Sequence, residues 1–486
     1  MNRDHDCHLR DLAHEAMIEH GLAPDFSDEV EKQLAGITAP AHENDASIKD
    51  LRKLLWCSID NDDSRDLDQL TVAEDLGGGN IRAMVAVADV DAIVKKGTPI
   101  DDHARQNTTS VYTASQIFPM LPEKLSTNLT SLNDDQERIA LVIDMTVGSD
   151  GSVAKSDVYR ALVHNKAQLA YNAVAAWLDG GEMPEKIRAV KGLAENLKMQ
   201  DSIADKMREL RHEHGALDLE TIEARAVLKN GQVVDLQQEK RNNARMLIED
   251  FMIAANGATA RFLDARKLPS LRRVVRSPER WDRIEAIAAE LGDSLPPDPD
   301  PVALQEFLVR RRKADPVRFP DLSLAIVKAM GAGEYVVELP GQTPIGHFGL
   351  AVRDYSHSTA PNRRFPDLIT HRLVKSALHN EKQAYTPDEL GELAEHCTKQ
   401  EDEANKVERK VRKSAAACLL QDRIGQRFDG IVTGAGAKGT WARVFHPPVE
   451  GKIVHGFDGL DIGERVHLKL VDVNVDAGFI DFVRTH

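Results

Sequence analysis

Cysteine is scarce. Cys7, Cys57, Cys397 and Cys418 are the only four in 486 residues, and they are scattered with no paired Cys-x-x-Cys spacing. Neither a zinc site nor a disulfide framework is expected from that pattern. No apolar run approaches the length of a membrane span. The opening residues, Met1-Asn2-Arg3-Asp4-His5-Asp6, are polar and contain no signal-peptide core. These absences predict a reducing cytoplasm. There is no internal repeat, and positive charge is the minority: 62 Lys and Arg against 78 Asp and Glu give a net charge of -16. That balance is awkward for a nucleic-acid protein, because such affinity comes largely from neutralising phosphates. The basic residues are nonetheless clustered, at Arg272, Arg273 and Arg276, at 310–313, at Arg363 and Arg364, and at 406–413. An acidic exterior with a basic channel is compatible with RNA, since the local field matters more than the sum. Each cluster alone also fits a solvated helix face.

The length predicts two to four domains, and a hydrophobic content of 42% is enough for real cores. One run dominates what is present. Residues 59–69 read Ile-Asp-Asn-Asp-Asp-Ser-Arg-Asp-Leu-Asp-Gln, five carboxylates in nine positions, directly after the apolar-rich Leu54-Leu55-Trp56-Cys57-Ser58. Like charges at that density repel, and a fold tolerates them when solvent or a cation neutralises them. A solvated acidic loop is the plain reading. A calcium loop of the EF-hand kind lacks its glycine here. The apolar approach favours a third reading, in which Asp60, Asp66 and Asp68 form an oxygen cage for Mg²⁺.

Along the chain, residues from about 5 to 36 read as helices, and 38–42 as a linker. Residues 81–90 and 139–147 read as buried strands. Helical stretches dominate from about 165 to 420, for example Glu185 to Met207 and Asn242 to Lys267. From about 424 short alternating strands suggest a small closed barrel of the OB type. Its Trp441 and Phe445 are either base-stacking platforms or barrel filling. The predicted organisation is an N-terminal helical region (1–45), a mixed catalytic core (46–420) and an OB barrel (424–486), with an α+β fold.

Five ordered blocks resemble the ribonuclease II and ribonuclease R family. They are Ile59-Asp60 with Asp66-Leu67-Asp68-Gln69; Val111-Tyr112 with Phe118 to Pro122 and Leu125-Ser126; Met246 to Asn256; His347 to Leu350; and Tyr355 to Leu368, continued by His371-Arg372. The resemblance covers nearly everything after residue 50. It implies a metal-dependent exoribonuclease that hydrolyses single-stranded RNA processively from 3′ to 5′, releasing nucleoside 5′-monophosphates. It implies Mg²⁺, with Mn²⁺ as the alternative, held by Asp60, Asp66 and Asp68. Asp68 is the position whose change to Asn is expected to abolish catalysis. Arg363 matches the family's catalytic arginine, whose planar fork suits a phosphoryl oxygen; a structural ion pair is the other reading. Glu408 resembles a late glutamate near the reactive phosphate, or is an ordinary helix-surface residue. Tyr112 resembles the residue that stacks near the 3′-terminal nucleotide. Tyr171 and Glu249 resemble positions near the terminal sugar, where a 2′-hydroxyl contact separates RNA from DNA; packing is the alternative for Tyr171. Arg364 is expected to contact RNA.

Three departures qualify the resemblance. Gln69 stands where the family usually has a second aspartate, so that metal position is expected to bind differently through a neutral carbonyl. About fifty residues precede the acidic run, where relatives often carry two cold-shock barrels, so RNA gathering falls to the tail and the helical cap. Leu219 aligns with an aromatic that stacks on a deeper base in many relatives. Gln69 also motivates a rival expectation, a catalytically weak or inactive RNA-binding protein derived from this family. Single-stranded RNA is the expected partner, with no membrane and no protein partner, and the chain is expected to be a monomer.

Overall fold

The computed structural model describes residues 8–222, 224–229, 232–238, 241–436, 439–460 and 462–485. Its centre is a seven-stranded sheet. The strands run in the order Lys49–Asp50, Val153–His164, Glu137–Val147, Asn80–Ala88, Gln69–Gly77, Cys57–Asp60, Ala167–Ala170. The two outermost pairings are parallel and the rest antiparallel. The Asn80–Ala88 strand is buried without interruption from Ala83 to Ala88. A continuous apolar run is what a strand covered on both faces requires. The helix Asn243–Ala265 packs on this sheet. Trp56, Met84, Phe251 and Phe365 lie fully enclosed in the shared core.

Both predicted strands are present, as Asn80–Ala88 and Glu137–Val147. The helical reading of 165–420 needs correction. The stretch from Glu185 to Met207 is two helices, Glu185–Ala189 and Leu193–Glu213: Val190 turns extended after the first, and Gly192, at φ 86° in the left-handed region, stands at the N-cap of the second. The same region also holds a hairpin of Ala224–Lys229 with Gln232–Gln238, and a strand pair of Ser270–Val274 with Glu334–Glu338. The long helix Pro387–Leu420 opens with a full capping box, Thr386 and Glu389 bonding each other's backbone amides. Its 34 residues span roughly 50 Å at 1.5 Å per residue. Leu390, Leu393 and Cys397 sit in the sheet core, while Ala417 and Leu420 sit in the barrel core. Glu408 is therefore carried midway between the two.

The N-terminal helices are Leu9–Glu19 and Asp28–Gly36; residues 5–7 of the expected helical stretch lie outside the described residues. Ala13, Ala16 and Met17 pack against Val111, Val407 and Val411. Glu19 pairs with Lys410 at 2.7 Å and His20 with Glu403 at 2.6 Å. This element is a cap over the long helix and over the short hairpin that carries Tyr112.

Five strands close the C-terminal barrel, Arg427–Gly436, Gly439–Val444, Val449–His455, Phe479–Thr485 and Arg465–Asn474. In Gly439–Val444 burial alternates, with Thr440, Ala442 and Val444 inward. Trp441 therefore points outward. Neither Trp441 nor Phe445 belongs to the barrel core, which Val432, Leu468 and Phe482 fill instead. Barrel filling is thereby set aside for both aromatics. Arg443, also outward, docks the barrel on Asp321 of the helix Phe319–Met330 at 2.9 Å.

Cys57 and Cys397 are buried free thiols. Cys418 is disulfide-bonded, contrary to expectation, because spacing along a chain does not report nearness across a fold; Cys7 lies outside the described residues. Among the described residues no helix is long and apolar enough to cross a membrane.

Candidate active site

The acidic run forms the connection between two neighbouring strands of the sheet, Cys57–Asp60 and Gln69–Gly77. Asp60 ends the first. Its Oδ1 accepts from the Asn61 amide and from Ser64 Oγ, both at 2.8 Å, which folds the loop back on itself. Ser131 fixes the other limb, its hydroxyl donating to the Arg65 carbonyl and accepting from the Leu67 amide, each at 2.9 Å. Asp66 Oδ2 accepts from the Tyr112 hydroxyl at 3.0 Å. Asp68 is 1% exposed. Its Oδ1 accepts from the Asn362 amide at 2.9 Å and its Oδ2 from Arg363 Nε at 3.2 Å.

Arg363 thus holds Asp68 by one nitrogen. Its side chain is 42% exposed, and its two terminal nitrogens bond to no described residue. Its carbonyl accepts from the Ser110 amide at 2.9 Å, which ties the arginine loop to the Tyr112 hairpin. Glu408 Oε1 accepts from the Tyr112 amide at 2.8 Å. Asp66, Tyr112, Glu408 and Arg412 line one cavity of about 480 Å³. Glu408 is therefore a support for the Tyr112 backbone at the cavity wall.

Tyr171 begins the helix Tyr171–Leu178, with the Arg245 guanidinium 4.9 Å from its ring centre. Burial, helped by the Asp60 charge, pushes its phenol well above the usual range. Glu249, one turn beyond Arg245 on the Asn243–Ala265 helix, pairs with Arg241 at 2.5 Å. Asn61, Tyr171 and Arg245 line a second cavity of about 840 Å³. The expected residues thus flank the acidic loop on two sides, with Tyr112 on one and Tyr171 and Glu249 on the other. Arg364 is placed differently from the RNA contact expected of it. Its fork closes on Asp367 at 2.8 and 2.9 Å, and the fully buried Asp367 also accepts from the Ala360 amide. It builds the turn that carries Arg363 instead of facing the cleft. Gln69 is buried as the first residue of its strand, its backbone paired with Val87. Leu219 rests, half-buried, on the cluster of Trp281, Phe307 and Phe319.

The carboxylates act on one another. Burial raises Asp60, and the Asp66 charge adds to it. Burial pushes Asp68 up to about 7, with Asp66 adding to the rise and Arg363 opposing it. Among the described residues no three His, Cys, Asp or Glu side chains are gathered in metal-binding geometry; each aspartate faces a protein donor instead. The donor chemistry nonetheless suits a hard divalent cation. Oxygen ligands are close enough to repel, and a cation beside them would relieve what burial and repulsion impose. Sequence reasoning missed Asn362, Asn61 and Arg245. Asn362 acts through its main chain, which no side-chain pattern signals.

The RNB domain matches over residues 48–380. The chain belongs to this family. The C-terminal S1 domain of RNase II-type exonucleases matches residues 426–485, on the barrel. Ribonuclease R of Escherichia coli is 32% identical over 96% of the chain and 61% of its own length. Ribonuclease R of Thermotoga maritima is 31% identical over 90% of the chain and 62% of its own. The chain spans about three fifths of the length of the curated relatives it matches. In fold it resembles Mycoplasma genitalium RNase R solved with ribose-methylated single-stranded RNA. The TM-score is 0.89 at 22% identity, covering 100% of this chain and 79% of that one. It also resembles yeast Ssd1, described as a pseudonuclease, with a TM-score of 0.71 at 14% identity, over 95% of this chain and 57% of that one.

Proposed function

We propose that the chain is a metal-dependent exoribonuclease that hydrolyses single-stranded RNA processively from 3′ to 5′, releasing nucleoside 5′-monophosphates. Family membership and the single-stranded RNA in the M. genitalium relative's structure support it. One observation carries it: buried Asp68 held between the Asn362 amide and Arg363 Nε, with Asp66 repelling it and the rest of the arginine fork open. Hydrolysis forms a bond from a water oxygen to phosphorus and breaks the bond to the 3′-oxygen of the preceding nucleotide, which leaves the phosphate on the released nucleoside's 5′ side. Negative charge grows on the non-bridging oxygens. The Nη atoms of Arg363 are positioned to meet it, because Asp68 anchors Nε and so orients the plane. Asp60, Asp66 and Asp68 would hold Mg²⁺, or Mn²⁺ in its place, with the Gln69 carbonyl as a neutral fourth ligand. When bound, that ion supplies charge neutralisation at the phosphate and eases ionisation of the attacking water. Tyr112 offers a stacking face. Tyr171 and Glu249 border the sugar. Glu408 acts through Tyr112, and outward Trp441 gives bases a surface to stack on at the barrel.

A second reading, an RNA-binding protein without turnover, draws on Gln69. One assay separates the two. Labelled single-stranded RNA is incubated with wild type, Asp68→Asn and Gln69→Asp, in Mg²⁺ and in EDTA. Wild type is expected to release monophosphates, and EDTA to stop it. Asp68→Asn is expected to retain RNA without cutting it. Gln69→Asp is expected to lower the half-saturating Mg²⁺ concentration. Retention of RNA by wild type without degradation would establish the second reading.

A further inference from the structure

We propose that Arg245 is a positioning residue that sets sugar specificity by joining the terminal-sugar site to the acidic loop. The inference rests on the exoribonuclease reading and deepens it.

Arg245 lies in the first turn of the Asn243–Ala265 helix, where the Asn242 side chain caps it by accepting from its amide at 3.0 Å. From that fixed base the side chain reaches both the acidic loop and the helix that Tyr171 begins. Nη2 donates to Asn61 Oδ1 at 2.6 Å. The guanidinium lies over the Tyr171 ring, 4.9 Å from its centre. Asn61 in turn donates its amide to Asp60 Oδ1 at 2.8 Å. An unbroken path therefore runs from the Tyr171 ring through Arg245 and Asn61 to a carboxylate of the acidic loop. Glu249 lies four residues on, so it shares a helix face with Arg245. Tyr171 also feels the charges of Asp60, Arg363, Arg245 and Glu249 together. Asn61, Tyr171, Asn172, Asn242 and Arg245 wall the cavity of about 840 Å³, within the range of small-molecule sites.

The physical consequence is directional. A planar cation over a ring fixes the ring's tilt as well as its place. A sugar hydroxyl that contacts Tyr171 is then read at a set distance from Asp60. Asp60 and Ala170, the residues before Asn61 and Tyr171, stay paired across the sheet, but without Arg245 the ring's tilt and the Asn61 side chain lose their shared anchor. A nucleotide lacking the 2′-hydroxyl gains nothing from that coupling and loses little when it goes.

The test is single-turnover cleavage of two labelled oligoribonucleotides. One ends in a ribonucleotide and the other in a single 2′-deoxynucleotide at the 3′ terminus. Arg245→Leu is expected to slow the ribonucleotide end about tenfold, the scale of one lost charge-assisted hydrogen bond, and the deoxy end less than about twofold, so the ratio of the two rates collapses. Arg245→Lys keeps the charge and loses the plane, and is expected to fall between. Equal slowing of both ends, or no slowing, would overturn the proposal. If Arg245→Leu fails to fold, the ratio for Arg245→Lys decides: an unchanged ratio overturns the proposal, a reduced one supports it. Equilibrium binding of both oligonucleotides in EDTA keeps the two readings apart. Should wild type cut neither, the nuclease reading fails, while a wild-type preference for the ribonucleotide end that Arg245→Leu abolishes still supports Arg245, and a preference that survives overturns it.

Discussion

Replacing Tyr112 by Phe separates two roles of one side chain. The hydroxyl donates to Asp66 Oδ2 at 3.0 Å, while the ring, 41% exposed, faces the 480 Å³ cavity. Partial burial and the Asp66 charge hold the phenol above its usual pKa. A hydrogen bond to a charged group is worth about 1.5–3 kcal/mol net. Asp66 is partly exposed, which favours the lower figure, and about 1.4 kcal/mol is tenfold. Removing the ring forfeits base stacking of about 1–3 kcal/mol, a loss of roughly 5- to 150-fold in affinity. The main-chain bond from Tyr112 to Glu408 survives both changes. Tyr112→Phe is therefore expected to lower the single-turnover rate about tenfold, with single-stranded RNA affinity in EDTA within about twofold of wild type. Tyr112→Ala is expected to lose that affinity as well. Filter binding in EDTA and single-turnover cleavage in Mg²⁺ measure the two effects separately. Equal affinity losses for Phe and Ala, or a Phe variant cutting at the wild-type rate, would refute the division.

Arg363→Lys is expected to cut the rate about a hundredfold or more, at near-normal RNA affinity, because one ammonium cannot hold Asp68 and also present two parallel N–H groups; single-turnover kinetics check it. A stability prediction comes from the lock behind the site, where Arg372 Nε donates to Asp91 Oδ1 at 2.8 Å and Lys375 to Oδ2 at 2.9 Å. Burial alone would raise Asp91, but Lys375 and Arg372 override it and hold it at about 2, below the ordinary 3.8. A depressed carboxylate contributes stability that is complete above its unfolded value and lost as pH falls through the folded one. Asp91→Asn is therefore expected to cost about 2 kcal/mol at pH 7, with the difference from wild type shrinking between about pH 4 and pH 2. Urea unfolding across that range reads it, and a pH-independent difference would count against the ion-pair account.

Much of this architecture was legible from the chain. The apolar run at 81–90 announced a buried strand, found as Asn80–Ala88, and the alternation after 424 announced the barrel. The apolar-rich stretch before the acidic run ends in the strand Cys57–Asp60 that leads into it. What the sequence hid has identifiable causes. Val190 and Gly192 looked like residues within a helical pattern, yet the extended Val190 and the positive φ of Gly192 split the helix. The strand pair Ser270–Val274 and Glu334–Glu338 joins segments over sixty residues apart, beyond any local periodicity. Neighbouring arginines read alike, but Arg364 closes on Asp367 while Arg363 leaves its fork open, and only the turn at 360–367 decides which is which.

On the proposed reading the same distinction explains how so acidic a chain could engage RNA, and it revises the basic clusters. Arg272 pairs with Glu338, Arg273 with Glu401 and Arg276 with Glu334. Arg310 pairs with Asp293, Arg312 with Asp218, Lys406 with Glu403 and Lys410 with Glu19. Those cations brace the fold, so counting them as a phosphate-binding channel counts charge already neutralised. An RNA strand that reached Arg363 would draw part of its affinity from surfaces indifferent to charge. The rings of Tyr112 and outward Trp441 would be such surfaces. On that reading a net charge of -16 opposes RNA only at long range, where salt screens it, while in the cleft the open fork of Arg363 faces repelling aspartates.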